Sequence, residues 1–143
     1  MIINVSYSNK QTTRTIEEHL GKPFTLKERF QKGGVGSPRL VVAEASVQIN
    51  NLLQLDNNRN YCNIELRPDG ILVGFRALLE SYALLIPYYK LVIYKSGAKR
   101  YSIYKDDYFV RVEPQGNDKS VHKFMAKLMA QKSTQAGTRI EDL

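Results

Sequence analysis

The chain has 143 residues, a formal net charge of +7 and one cysteine, Cys62. A chain of this length is typical of one domain that buries a core without a disulfide or a metal. One cysteine excludes an internal disulfide framework, and neither a signal-peptide pattern nor an apolar run of roughly 20 residues is present. We therefore expect a soluble, cytoplasmic protein. The basic excess fits either simple solubility or an anionic partner.

Residues 1–39 form a predicted N-terminal extension. Three apolar residues predict a short strand near its start: Ile2, Ile3 and Val5. Thr15 followed by Glu18 fits a capping box, and Gly21 fits a helix end, which predicts a helix of little more than one turn. The spacing of Phe24, Leu26 and Phe30 leaves helix and extended chain open. The glycine-rich segment 32–38 predicts a flexible loop or hinge.

Residues 40–55 carry a mixed signal. Apolar and β-branched residues alternate in part of the segment, which favours a strand: Leu40, Val42, Val47 and Ile49. The AEAS and NNLLQL pieces leave a helix open. The polar run 56–60 predicts a turn.

The segment from Cys62 to Val112 predicts a series of antiparallel strands. Arg67 to Gly70 predicts a tight turn between two of them, with positive φ expected at the glycine. Residues 76–81 are a predicted connection, and Pro87 ends or bends the next strand. Alternation then resumes at Tyr89, Leu91 and Ile93, and turns are predicted at 95–98 and 105–107.

An amphipathic helix is predicted after a linker at 114–118, with Asp118 or Ser120 as its N-cap. Its apolar stripe has helical spacing and consists of Val121, Phe124, Met125, Leu128 and Met129. A second face carries Lys119, Lys123 and Lys127. These lysines are either candidate contacts for an anionic partner or simply the solvated face of the helix. Residues 133–143 are predicted to be a flexible tail.

Three pieces of the sequence carry a family resemblance: ELRPDGILV, IPYYKLVIY, and YFVRVE followed by VHKFMAKL. They resemble the pleckstrin-homology-like superfamily, in particular its bacterial pleckstrin-homology and GRAM-type domains. The resemblance covers 64–128. It implies an α+β, mostly β fold, in which a strongly bent antiparallel sheet or a barrel of about seven strands is closed by the C-terminal amphipathic helix. The domain would span 40–132. Phe124 stands where many members have tryptophan, and Arg67 lies alone with Asp69 at the hairpin where inositol-phosphate-binding members carry several basic residues.

Seven of the nine tyrosines lie between residues 82 and 108, interleaved with lysine and arginine. This pattern fits ordinary sheet packing, and it also fits a stacking face for nucleic acid. The candidate contacts on such a face are Tyr88, Lys90, Lys95, Lys99, Arg100 and Tyr104. No catalytic, metal-binding, phosphate-loop or cofactor motif is recognised. We therefore expect a non-enzymatic binding or scaffold module for a protein or an anionic surface, with a basic nucleic-acid-associated protein as the alternative.

Overall fold

The computed structural model describes residues 2–7, 9–53, 60–77, 79–116 and 118–142, with the backbone alone for residue 118 and residues 135–142. Eight strands form one sheet whose neighbouring strands are all antiparallel. They are β1 (Ile2–Asn4), β2 (Leu40–Ala45), β3 (Tyr61–Leu66), β4 (Gly70–Ala77), β5 (Glu80–Pro87), β6 (Val92–Lys95), β7 (Tyr101–Lys105) and β8 (Tyr108–Pro114). The helices are α1 (Lys10–Leu20), α2 (Leu26–Gln31), α3 (Val47–Leu53) and α4 (Asp118–Asp142).

The strand order is β1-β5-β4-β3-β2-β8-β7-β6, so the sheet is open. Strands β2 to β5 form one meander and β6 to β8 form a second, and the pairing of β2 with β8 joins them. The Lys105 ammonium, on a buried side chain of β7, donates to the Leu85 carbonyl of β5 at 2.8 Å. The sheet therefore bends far enough to bring its two halves into contact without closing. The expected mostly β, antiparallel α+β fold is confirmed in this open form.

The inner face of the sheet carries the main core. Alternate residues of the strands meet α4 there, through buried Val121, Phe124, Met125 and Leu128. From α3, Ile49 and Leu53 join the same cluster. Four positions of the predicted apolar stripe of α4 are thus buried, whereas Met129 is 36% exposed at its end. The helix continues to Asp142, beyond the predicted start of the tail at residue 133.

The outer face is covered at one end by α1. Leu20, which is fully buried, packs on Ala83 and Leu85 of β5, with Ile16 and Ile3 at the margin. Next to α1, β1 pairs with β5 from Ile2 to Asn4. The N-terminal extension therefore supplies strand β1, which brings the sheet to eight strands, and helix α1, which lies on the outer face.

Several local predictions for residues 1–53 were wrong. α1 begins after Asn9, whose side chain accepts a hydrogen bond from the Thr12 backbone amide at 2.8 Å. Thr15 and Glu18 therefore lie inside the helix and do not form the predicted capping box. The capping box lies instead at Thr25 and Glu28 and starts α2. Gly21 ends α1 as predicted, with φ of +83°. Residues 47–53 form α3, because after the polar Ser46 the apolar positions Ile49 and Leu53 recur with helical spacing.

The later strands match the prediction more closely. The turn before Gly70 is present, but this glycine does not have positive φ. Glycine is required at position 70 because there is no room for a side chain: a Cβ there would lie 2.3 Å from the Ile86 carbonyl oxygen. Strand β4 reaches Ala77 and β5 begins at Glu80, so the predicted connection 76–81 is much shorter, and β6 begins only at Val92. The predicted turn at 56–60 lies outside the described residues, except for Asn60.

Candidate binding surfaces

The six candidate sheet-face contacts do not form one surface. Tyr88 is buried, and its hydroxyl donates to the Arg67 carbonyl at 2.9 Å. The pKa of Tyr88 is raised mainly by this burial and further by the nearby negative charge of Asp69. Lys90 pairs with Asp106 at 3.3 Å, and Arg100 pairs with Glu113 at 2.8 Å. Lys95 and Lys99 are exposed around the hairpin between β6 and β7. Of the six, Tyr104 has the outward-facing aromatic neighbours of a surface cluster.

Tyr104 is the centre of a row of three rings, the aromatic ladder, formed by Tyr94, Tyr104 and Phe109 across β6, β7 and β8; its ring is stacked with that of Tyr94 and tilted relative to that of Phe109. The ring centroids of Tyr94 and Tyr104 are 5.8 Å apart, and those of Tyr104 and Phe109 are 5.7 Å apart. The two tyrosine hydroxyls are 3.2 Å apart, and this hydrogen bond raises the pKa of Tyr94 while lowering that of Tyr104. Arg111 donates to the Tyr104 hydroxyl at 2.9 Å, which lowers the pKa of that tyrosine further.

The charges around the aromatic ladder are largely neutralised. The Arg111 guanidinium lies 4.8 Å from the centroid of the Phe109 ring and pairs with Glu44 of β2. Arg100 pairs with Glu113 on the neighbouring strand. A phosphate backbone would therefore have to compete with carboxylates for both arginines. Sequence reasoning proposed Tyr104 but missed Tyr94, Phe109 and Arg111 as its partners, although the strand alternation places them on one face.

Strand β6 is the last strand in the sheet order, and among the described strands it pairs with β7 alone. Val92 and Tyr94 occupy alternate positions on its outer face and are 55% and 45% exposed. Val92 lies opposite Tyr104 in the register, so the exposed side chains of the edge continue directly into the aromatic ladder. In the part of the chain that the structure describes, β6 is thus an edge strand beside the partly exposed aromatic ladder.

The three lysines in the row on α4 differ in their contacts and in their exposure. Lys127 donates to the Gly34 carbonyl at 2.9 Å, and so ties the glycine-rich loop to the helix. Burial lowers the pKa of Lys127, and the neighbouring charges of Lys123 and Lys32 lower it further. Lys119 and Lys123 are exposed. At least one of the three predicted anionic-partner contacts is thus used within the chain.

A groove of about 910 Å³ lies on the outer face of β3, β4 and β5, and sequence reasoning missed it. Arg39 and Arg76 line it on either side of Tyr61, and the backbone of Gly74 forms part of its floor. The Arg39 guanidinium carbon is 4.9 Å from the centroid of the Tyr61 ring. Strand alternation could have placed Tyr61 and Arg76 on one face, but nothing in the sequence brought Arg39 to them.

Potential catalytic and metal-binding groups are scattered in the structure. Cys62 is buried, and desolvation raises the pKa of its thiol to about 12, so the thiol stays protonated at neutral pH. Within the described ranges, no three histidine, cysteine, aspartate or glutamate side chains come together as metal ligands. None of the described helices is both long enough and apolar enough to span a bilayer.

Comparison of the chain with protein-family models, with curated proteins and with solved structures gives no match.

Proposed function

We propose that this protein is a non-enzymatic binding module of the pleckstrin-homology-like type, and that it holds an extended segment of a partner protein along β6. The observation that carries the proposal is the position of β6 at the end of the sheet, with Val92 and Tyr94 exposed on it. An edge strand presents backbone N–H and C=O groups that one more strand can pair with. Strands β2 to β8 followed by α4 also give the strand count that the family resemblance implies.

The side chains around β6 specify the chemistry of the partner. An added strand would place every second residue beside Val92 and Tyr94, so apolar or aromatic residues should alternate along the partner. Lys95 is exposed at one end of the edge, and it favours an acidic residue at the matching end of the partner. The preferred ligand is therefore an extended, alternately apolar peptide with an acidic end.

The nucleic-acid alternative rests on the aromatic ladder, since stacked tyrosines can serve as a platform for bases. It is less favoured because Arg100 and Arg111 are both paired with carboxylates on the same face. Phosphate contacts account for most non-specific affinity for nucleic acid, and that affinity falls steeply with salt. We expect only weak binding of single-stranded oligonucleotides, lost near physiological ionic strength.

A displayed library of random peptides tests the strand-addition proposal. The selected peptides should alternate apolar residues and carry an acidic end. On binding, the peptides should protect the backbone amides of residues 92–95 from hydrogen exchange, because these amides gain partners or lose contact with water. Protection elsewhere in the chain, with no change at β6, would mean that the binding edge has been assigned to the wrong strand.

Two matched variants sharpen this experiment. Replacing Tyr94 by Lys places a charge on the edge and should weaken the selected peptides at least tenfold. Replacing Leu79 by Lys makes a similar change at a residue that is 84% exposed in the β4–β5 turn, and it should leave the affinity within about twofold. Equal losses in the two variants would indicate a general charge effect and contradict edge pairing.

A further inference from the structure

The groove beside Tyr61 lies away from the β6 edge, and the charge of its lining is unusual. Two of its lining side chains are arginines, and none of the described residues that line it is a carboxylate. Where the structure describes the chain, neither Arg39 nor Arg76 forms an ion pair. By contrast, Arg67, Arg100 and Arg111 each pair with a glutamate.

The two arginines reach the groove from opposite sides of β3, because Arg39 precedes β2 and Arg76 lies on β4. Tyr61 and Arg76 each lie one residue beyond the Cys62–Phe75 pair, which is the last pair of the β3–β4 register, and both line the groove. Arg39 reaches the Tyr61 ring from the segment before β2, as its cation–π distance of 4.9 Å shows. Arg39 and Arg76 are both exposed residues that line the groove, so an anion in the groove can reach both positive charges.

The remaining lining defines the rest of the ligand. Leu72 and the bare backbone at Gly74 offer a flat and partly apolar floor, and Asn63 and Ser81 add polar groups. A Cβ on residue 74 would lie 2.8 Å from the Asn63 side-chain oxygen, so glycine keeps this part of the groove open. A volume of about 910 Å³ is within the range of small-molecule sites.

We propose that this groove binds a small molecule carrying a charge of about −2, with its oxygen atoms on Arg39 and Arg76 and its flat apolar part against the strand backbone. Arginine forks bind carboxylate and phosphate groups through paired hydrogen bonds, and two of them match two negative charges. A dicarboxylate and a phosphate monoester both supply this chemistry. The groove is on the outer face of the sheet, whereas Arg67 at the β3–β4 turn is already paired with Glu65.

The proposal is tested by titrating the whole chain with three probes that share one aromatic ring: isophthalate, phenyl phosphate and benzoate. Backbone amide shifts measured by NMR should change at Asn63 and Gly74. Isophthalate or phenyl phosphate should bind at least about fivefold more tightly than benzoate, which has one charge. If neither dianion moves these resonances, or benzoate binds equally well, the proposal is wrong.

Variants identify the residues that bind the dianion. Arg39→Gln and Arg76→Gln should each weaken binding about tenfold, which corresponds to about 1.4 kcal/mol, since each change removes a charge-assisted hydrogen-bonded pair. Arg14→Gln removes the same charge from an exposed position on α1 and should change the affinity less than twofold. A loss at Arg14→Gln equal to that at Arg76→Gln would overturn the site and leave only an effect of net charge. Unchanged circular dichroism and thermal midpoints exclude misfolding of the variants.

Changing the pH separates the two sources of the dianion. A phosphate monoester has its second pKa near 6, so its binding should fall about tenfold between pH 7.5 and pH 5. Carboxyl groups titrate near pH 4, so isophthalate binding should change little over the same range. A single-stranded oligonucleotide that shifts the same amides more strongly than both small dianions would contradict a small-molecule site. None of these outcomes depends on peptide binding at β6, so either proposal can fail alone.

Discussion

The outer face of the sheet differs sharply between its two ends. At the β1–β5–β4 end, α1 lies on the strands, and Leu20 packs on Ala83 and Leu85 in an apolar patch. At the β6–β7–β8 end, the stacked rings of Tyr94 and Tyr104 face outward, and their hydroxyls contact each other. Outside the groove lined by Leu72 and Gly74, α1 thus seals the β1–β5–β4 end of the face (the sealed end), whereas the other end is open.

The residue types at the outward positions explain the difference. A small residue such as Ala83 lets a helix approach the strand closely. Aliphatic neighbours then bury apolar surface against the helix, which stabilises the contact. Tyrosines are amphipathic, so their rings stack on the sheet while their hydroxyls remain near water. A dense group of tyrosines therefore indicates a face that stays uncovered, and alternating aliphatic and small residues indicate a face that another element covers.

The largest expected effect tests the sealed end. Gly70→Ala should lower the free energy of unfolding by about 2–3 kcal/mol, because its Cβ would lie 2.3 Å from the Ile86 carbonyl oxygen and 2.7 Å from Leu20 Cδ2. Gly97→Ala is the matched change in the β6–β7 hairpin, where the nearest heavy atom would be 3.6 Å away. It should stay within about 0.5 kcal/mol of the wild type in urea unfolding. Similar losses for both variants would remove the contrast between the two ends.

A smaller effect is expected at the open end. Tyr104→Ala should cost about 1–2 kcal/mol, because the ring stacks with Tyr94 and contacts Phe109 but is only half-buried. A double-mutant cycle with Tyr94→Ala should give a coupling of about 0.5–1 kcal/mol. Zero coupling in the unfolding measurements would mean that the stacked tyrosines contribute nothing as a pair.

The smallest effect concerns the attachment of β1 to the sealed end. The Glu80 carboxylate accepts hydrogen bonds from Ser6 and from Asn4, and these bonds lower its pKa. Because the pKa is lower in the folded state, the stabilisation is present above the pKa of the unfolded chain, and it is lost as the pH falls through the folded value. The stability difference between wild type and Glu80→Gln should therefore be greatest near neutral pH and shrink below about pH 4.5. A difference that grows on acidification would contradict this assignment.

The sequence predicts the fold well where alternation is unbroken. Strand β3, the turn before Gly70 and the buried stripe from Val121 to Leu128 follow directly from periodicity and turn chemistry. It predicts α3 poorly, because a strand and a helix meet at Ser46 within one apolar stretch. The first turn of α1 was missed, since Asn9 caps it before a polar sequence with little helical pattern.

The binding surfaces were harder to predict than the strands. Strand alternation gives the face of Tyr104 and of Arg76, but which strands are neighbours depends on long-range pairing that a local pattern does not contain. Arg39 and Tyr61 meet only because β2 pairs with β3. Likewise, the partners of Arg100 and Arg111 are known only once β8 lies between β7 and β2.

The pairing of β1 with β5 has a consequence for how the chain folds as it is synthesised. Ile2 is paired with Leu84, so the ribosome makes β1 and α1 well before the strand that both of them pack on. At about 5–20 residues per second, these first residues wait roughly 4–16 s for their partner. During that time their apolar side chains have no native surface to cover, and the second meander, β6 to β8, has yet to emerge. The earliest of these eight strands thus docks at one end of the sheet beside the later strand β5, and its late docking makes the sealed end a candidate for the slow step of folding.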